Sequence, residues 1–179
     1  LATGARRSNH NTVSDGARSV VRRGAFVSAG FVFAQSGVGA VVRHTDSGLA
    51  CPDVPLCLSR VIPPLDQWPI ALHFGHRVLG VLTALVVLGA AWVALRRSAA
   101  GQDTLAVRFM LAAAGLVVVQ VLLGFVSVWA LLAVLPVSLH TLVAASVLVC
   151  VTAAGSLTWS VGIPEAGSGV ARDTADAVA

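Results

Sequence analysis

Residues 69–95 read PIALHFGHRVLGVLTALVVLGAAWVAL, and this stretch decides the fold class. Arg77 is its only Lys, Arg, Asp or Glu, and most of the remaining residues are Ala, Val, Leu or Gly. A helix needs about 20 mostly apolar residues to cross the hydrocarbon core of a bilayer, and this run is longer than that. The stretch therefore predicts a transmembrane helix.

Three further stretches are long and apolar enough to span a membrane, at residues 24–42, 105–129 and 134–159. Of the 179 residues, 56% are hydrophobic and 11% are charged, whereas about a quarter of the residues are charged in an average soluble domain. We therefore expect an all-α integral membrane four-helix bundle, formed by residues 24–159, in contact with membrane lipid.

Arginines mark one side of this bundle. They lie in the N-terminal segment 1–23 and around the turn between the second and third spans, at Arg6, Arg7, Arg18, Arg22, Arg23, Arg96, Arg97 and Arg108. By the positive-inside rule, both segments are cytoplasmic. We expect a multi-pass protein of the cell membrane with both termini in the cytoplasm, an extracytoplasmic loop at 43–68 and a disordered tail at 160–179. The arginines form no patch with aromatic residues, so we expect no nucleic acid partner.

The first apolar stretch has a second interpretation. Arg22 and Arg23 precede it and Phe26 follows, an arrangement that loosely resembles a twin-arginine secretory signal. The full spanning length, which runs on to Arg43, favours a transmembrane helix. Because the sequence begins with Leu1 rather than Met, we expect a fragment or an alternative start codon.

An internal repeat relates the first and third spans. The first contains Gln35-x-x-x-Gly39 and the third contains Gln120-x-x-x-Gly124, and each is followed by a helix with a His near its start. The pattern predicts two repeated helical hairpins, although similar matches also arise by chance in apolar sequence. The two glutamines are candidates for hydrogen bonds between helices or for contact with a bound cofactor.

Two histidines lie at matched depth in the second and fourth spans. His76 and His140 follow the starts of their spans by about six or seven residues, which places both roughly 10 Å below the loop-side surface. The two helices run parallel, so the imidazoles can face each other, as the axial ligands of a heme iron do. The alternative is that each His only forms a hydrogen bond with a neighbouring helix.

Two more polar residues share this part of the second span. His73 lies on the same helix face as His76, and it is a candidate acid–base group, an alternative ligand or a polar residue at the water interface. Arg77 is a candidate catalytic residue that needs a partner inside the membrane. A heme propionate or Asp66 would provide one.

Cys51 and Cys57 lie in the predicted extracytoplasmic loop, in an oxidising compartment. A disulfide is expected there, with redox exchange as the alternative. Metal binding by two cysteines alone is weakly indicated. Cys150, in the fourth span, is interpreted as a packing residue.

These residues resemble a known family, the heme A synthases. The resemblance rests on VRHTDSGLACPDVPLC at residues 42–57, His76-Arg77-Val78-Leu79-Gly80, Gln120-x-x-x-Gly124 and Leu139-His140. It implies an oxidoreductase that converts heme O to heme A by oxidising the C8 methyl group, with oxygen from water, for use by terminal oxidases. It also implies that His76 and His140 bind heme iron, with heme b, heme O or heme A as cofactor, substrate or product. The family's extracytoplasmic cysteine pair matches Cys51 and Cys57.

The chain departs from the family pattern at three points. A Glu usually stands at the position of His73, a Trp usually stands at the position of Val54, and members commonly have eight spans in two bundles. The single bundle implies a homo-oligomer or partner bundle, a half-length or truncated member, or a chain that binds heme without catalysis. Heme O synthase and terminal oxidase assembly are the implied partners. The alternatives are a b-type heme carrier or electron-transfer subunit, and a structural assembly protein without heme.

Overall fold

The computed structural model describes residues 3–98 and 105–159, with side chains at 16–97 and 105–159. It contains four α-helices, named α1 (Thr3–His44), α2 (Trp68–Ser98), α3 (Leu105–Trp129) and α4 (Val134–Leu157), and a short 3-10 helix at Ser47–Leu49. Each α-helix includes a segment long and apolar enough to cross a membrane. Within the described ranges the secondary structure is helical apart from one isolated bridge between Cys57 and Arg60. The predicted all-α membrane fold is confirmed.

The helix ends agree with the predicted spans within a few residues, except at the start of α1. The helix begins at Thr3, well before the predicted start at residue 24. Val21 and Ala25 are buried on one face, so the apolar contact with the bundle begins before the predicted span. The predicted C-terminal tail at 160–179 lies outside the described residues.

The helices form a closed ring in which each packs on two neighbours. α1 packs on α2 and α4, and α3 packs on the same two helices. α2 and α4 therefore lie across the diagonal, and they run parallel because consecutive helices alternate in direction. Neighbouring helix axes are typically about 8–10 Å apart, which puts diagonal axes roughly 11–14 Å apart. The side chains of α2 and α4 therefore meet across the centre of the bundle rather than through direct backbone contact.

The apolar core occupies the half of the bundle that is remote from the 45–67 loop. Small residues dominate it, and they allow close approach of the helix backbones. Gly24, for example, faces Ala90, and a Cβ at Gly24 would lie 3.2 Å from the Ala90 Cβ. The core consists of Val21, Ala25, Val32, Val87, Ala91, Ala94, Val107, Met110, Ala113, Val117, Val147, Val151 and Ala154.

At the loop end of the bundle, the 45–67 loop folds over the helix ends. Cys51, Cys57 and Ile70 form a small separate cluster under the 45–67 loop. The turn after α3 contacts the same loop through Leu132 and Gly48. A Cβ added to Gly48 would lie 2.8 Å from Cδ1 of Leu132. Between this cap and the apolar core lies the layer that contains His76 and His140.

The two hairpins, α1 with α2 and α3 with α4, form the two most extensive helix interfaces. The structure thus contains the expected pair of hairpins. Their origin as repeats of one unit stays a prediction.

Candidate functional site

Gln120 contacts both ring nitrogens of His140. The Gln120 backbone carbonyl lies 3.1 Å from Nδ1, and because a carbonyl only accepts, Nδ1 carries the proton and donates it. The lone pair is then on Nε2, which accepts a hydrogen bond of 3.2 Å from the Gln120 side-chain amide. Gly124, one turn further along α3, lets the ring approach, since a Cβ there would lie 3.3 Å from Cε1.

Gln35 contacts His76 in the first hairpin in a related but different way. Its Nε2 donates to the backbone carbonyl of His76 at 3.0 Å and lies 3.1 Å from Nδ1 and 3.5 Å from Nε2 of the ring. Gly39 leaves space for the ring, because a Cβ there would lie 3.0 Å from Cε1. Gly80 leaves space for the amide, because a Cβ there would lie 3.1 Å from Gln35 Nε2.

His76 and His140 lie at similar depth on the two diagonal helices. They lie eight residues after the start of α2 and six after the start of α4, which corresponds to depths of roughly 12 and 9 Å. Both rings are partly buried. The expected pair at matched depth is thus present, and its role as a ligand pair stays a prediction.

The residues around this pair fit a heme. Two imidazoles lie at similar depth on parallel helices, and each lies against a glycine of a neighbouring helix. The side-chain oxygens of Gln35 and Gln120 are buried without a hydrogen-bond partner, and buried polar atoms normally have one, so the layer offers two free acceptors. Across 16–98 and 105–159, no group of three or more His, Cys, Asp or Glu side chains could hold a bare metal ion. Two His are sufficient for heme ligation.

Arg77 binds the loop rather than an acidic side chain. Its guanidinium donates to the backbone carbonyl oxygens of Asp53 at 2.8 Å and Leu56 at 2.7 Å, and also to that of Cys51. Of the two expected partners, Asp66 is exposed and is not among these acceptors, so that alternative is wrong, whereas the heme propionate stays a prediction. The reason is that the folded loop turns three carbonyls toward α2, which satisfies the fork of donors on Arg77.

His73 is buried beneath the same loop, with 5% of its surface exposed. The Cys51 N–H lies 3.4 Å from Nδ1, and Arg77 Nε lies 3.3 Å from Nε2. A neutral imidazole has one lone pair, and in either tautomer that lone pair faces one of these donors. Its position is therefore that of a loop anchor, one turn from His76. Its catalytic role, like that of Arg77, stays a prediction.

Cys51 and Cys57 form the expected disulfide, with their Cα atoms 4.7 Å apart. Both residues are almost completely buried. The bond closes the segment whose carbonyls bind Arg77, so the disulfide, Arg77 and His73 form one connected unit. Cys150 is a partly buried free thiol in α4, and it packs against the apolar core, as expected.

A family model described as Cytochrome oxidase assembly protein (COX15-CtaA) matches residues 1–152. The chain belongs to the cytochrome oxidase assembly protein family. The match covers all four helices except the last turn and a half of α4, so it includes every candidate site residue described above.

Several curated proteins that are similar to this chain are named heme A synthase. That of Halalkalibacterium halodurans is 37% identical over 82 residues, which are 44% of this chain and 27% of the relative. That of Symbiobacterium thermophilum is 41% identical over 59 residues, 33% of this chain and 19% of the relative. That of Bacillus mycoides is 45% identical over 60 residues, 32% of this chain and 18% of the relative. The similarity thus spans about a quarter or less of the length of these relatives.

Sequence reasoning missed two features of this cytochrome oxidase assembly protein. The first is the clearance that Gly39, Gly80 and Gly124 provide around the glutamine–histidine contacts. The sequence carried a signal for this clearance. A Gly stands four residues after each of Gln35, Gln120 and His76. The second is the set of carbonyls around Arg77, for which the sequence offers no signal.

Proposed function

We propose that this chain binds heme between His76 and His140 and acts in heme A synthesis. The single observation that carries the proposal is the placement of these two imidazoles at similar depth on the parallel helices α2 and α4, in a layer with two buried amide oxygens that have no hydrogen-bond partner. Membership of the cytochrome oxidase assembly family and the names of the curated relatives support heme as the ligand. When bound, heme would supply an iron that accepts one nitrogen from each histidine.

The proposed reaction converts the C8 methyl group of heme O to the formyl group of heme A. Addition of one water and removal of four electrons and four protons balances this change. The electrons must pass to an acceptor outside the described residues. On this proposal, His76 and His140 position the heme, while the unit of Arg77, His73 and the disulfide covers the loop end of the site and limits the access of water to it.

The proposed orientation places the 45–67 loop on the extracytoplasmic side and both termini in the cytoplasm. Arginines concentrate at the opposite end of the bundle from the loop, at Arg18, Arg22, Arg23, Arg96 and Arg97, as the positive-inside rule requires. Because the similarity covers a minor part of the curated relatives, we also propose a second bundle, from another copy or another chain. Heme O synthase and the terminal oxidase under assembly are the proposed partners.

The test is co-expression of the chain with a source of heme O in a host that lacks heme A, followed by extraction and mass detection of the hemes. Heme A or its hydroxymethyl precursor would support the enzyme. His76→Ala and His140→Ala should each lose bound heme, while His44→Ala, which changes an exposed residue at the end of α1, should retain it. Full heme occupancy in both site variants would refute the ligand assignment.

A second candidate function is a non-catalytic carrier of b-type heme. It is favoured by the contacts of His73 and Arg77, since the donors or lone pairs of both side chains are engaged in holding the loop. In the same experiment, this function predicts purified protein that contains only unmodified heme. A chain with no Soret absorbance would instead support a structural assembly role.

A further inference from the structure

A groove between α1 and α2 lies at the end of the bundle that is remote from the 45–67 loop. It has a volume of about 370 Å³, and its lining consists of four valines, two glycines, Ala90 and Arg23. On α1 it extends from Val20 to Val27, and seven residues of helix correspond to about 10 Å. Val27 and other lining residues are exposed, so the groove opens outward from the bundle. It combines an apolar lining with a single charged residue.

Small residues form the floor of this groove. The two helices meet at Gly24 and Ala90, where a Cβ on the glycine would lie 3.2 Å from the alanine Cβ. Next to this contact, a Cβ on Gly89 would meet nothing within 4 Å. The helices are therefore in close contact below the groove, while the space beside Gly89 is open to the exterior.

Arg23 lies at the edge of the apolar part of α1, because the predicted span begins at the next residue, Gly24. Arginine side chains at such a position extend toward the headgroup layer while their stems cover apolar surface. Val27 and Val86 line the part of the groove on the membrane side of Arg23. The groove thus runs from the level of the lipid headgroups to the level of the acyl chains.

The described side chains offer Arg23 no counter-charge at this end of the bundle. The acidic side chains that the structure describes all lie in the 45–67 loop, at Asp46, Asp53 and Asp66. The neighbouring Arg22 lies over the ring of Trp159, with 5.4 Å from its Cζ to the centroid. Within the described part of the chain, Arg23 has neither a ring contact of this kind nor a hydrogen-bond acceptor. Its guanidinium is therefore available to an anion from outside the chain.

We propose that this groove binds one anionic phospholipid, with its phosphate on Arg23 and the first part of an acyl chain between α1 and α2. A guanidinium donates two parallel hydrogen bonds to phosphate, and the valines provide dispersion contacts with the chain. A second copy of this protein would bring another basic end to the groove, so the charges favour the lipid. On the proposed orientation, this end faces the cytoplasmic leaflet, whose surface is negative.

The first test is native mass spectrometry of the full chain in detergent, titrated with phosphatidylglycerol or with phosphatidylcholine that has the same acyl chains. We expect phosphatidylglycerol to bind more tightly, and Arg23→Gln to weaken its binding about fivefold, the effect of one arginine near an anionic lipid surface. Arg96→Gln is the matched control, because Arg96 lies over Trp92 and does not line the groove. Equal binding of the two lipids, or equal effects of the two variants, would overturn the proposal.

The second test fills the groove. Gly89→Leu places a side chain in the space assigned to the acyl chain, and it should weaken phosphatidylglycerol binding about threefold or more. Gly30→Leu is the control, since Gly30 is exposed on α1 and a Cβ there also meets nothing within 4 Å. Unchanged binding in Gly89→Leu would refute the proposal. A dimer that Gly89→Leu dissociates, seen in the same spectra, would assign the groove to a second copy instead.

A third measurement guards against misfolding of the arginine variant. Arg23→Lys keeps the charge, so it should bind phosphatidylglycerol within about threefold of the unaltered chain. Phosphatidylglycerol should also raise the melting temperature of the unaltered chain more than that of Arg23→Gln, because a ligand of the folded state stabilises it. Equal weakening by Arg23→Lys and Arg23→Gln would show that the charge does not hold the lipid. These readouts do not require heme, so they are independent of the proposed function.

Discussion

The imidazole of His76 rests directly against the backbone of Gly39, such that a Cβ on the glycine would lie 3.0 Å from Cε1 of the ring. Such a contact is tighter than nine in ten real Cβ contacts, so the ring or α1 must give by a few tenths of an ångström if a side chain is added. The contact couples the position of the proposed ligand to the spacing between α1 and α2. It makes Gly39 a sensitive position for substitution.

Gly39→Ala should weaken heme binding about tenfold, which corresponds to about 1.4 kcal/mol, because the methyl group displaces His76 from its position. Heme titration monitored by Soret absorbance measures this change. Gly37→Ala is the matched control, since it adds a methyl group to the same helix with nothing within 4 Å. Equal affinities for the two variants would show that the contact does not position the ligand.

Gly124→Ala should have a smaller effect, about two- to fivefold on heme affinity, because the added Cβ would be less crowded than at Gly39 and overpacking costs less there. The added Cβ would lie 3.3 Å from Cε1 of His140. The same titration applies, with Gly115→Ala on α3 as the control in open space. A larger loss from Gly124→Ala than from Gly39→Ala would contradict this ranking.

Arg77→Lys should loosen the 45–67 loop. A lysine is a point donor on a flexible stem and cannot reach three carbonyls at once, as the planar guanidinium does. We expect about tenfold faster amide hydrogen exchange in the peptide that contains Cys57 and Arg60, whose backbone groups pair with each other, consistent with loss of charged hydrogen bonds of about 1.5 kcal/mol each. Mass spectrometry measures the exchange.

Arg60→Lys is the control for this experiment, because it makes the same replacement at an exposed side chain of the same loop. Its exchange should match that of the unaltered chain within about twofold. Loop exchange unchanged in Arg77→Lys would mean that the carbonyl contacts do not hold the loop.

His73→Leu should separate a loop anchor from an acid–base group. Leucine fills a similar volume but offers no lone pair to the Cys51 N–H or to Arg77, so exchange at the Cys51 amide should rise about two- to tenfold. Heme affinity should stay within about threefold, because His73 lies outside the ligand pair. Loss of heme O conversion with an unchanged loop would instead identify His73 as a reacting group.

Much of the site could be predicted from the sequence because it depends on helix periodicity. The start of a span fixes the depth of His76 and His140 at 1.5 Å per residue, and the alternation of four spans makes their helices parallel. The disulfide between Cys51 and Cys57 could also be predicted, because both cysteines lie in a loop assigned to the oxidising side of the membrane. None of these inferences needed side-chain geometry.

The partners of Arg77 and His73 could not be predicted, because they depend on how the loop folds. A sequence shows the charge of Asp66 but not the direction of the carbonyls at Cys51, Asp53 and Leu56. Likewise, one sequence-based alternative placed His73 at the water interface. Its side chain is instead almost completely buried, because the loop folds over the start of α2. Tautomers depend on distances of a few tenths of an ångström, which no pattern contains.

The placement of the apolar core in one half of the bundle separates two events in the life of the protein. The remote half contains the apolar core of the chain, which is formed without any ligand. If heme binds between the histidines as proposed, the half that contains them gains contacts on binding, and its stability rises with ligand concentration. On that proposal, association of the helices at the remote end does not depend on the ligand, whereas the rigidity of the loop end does.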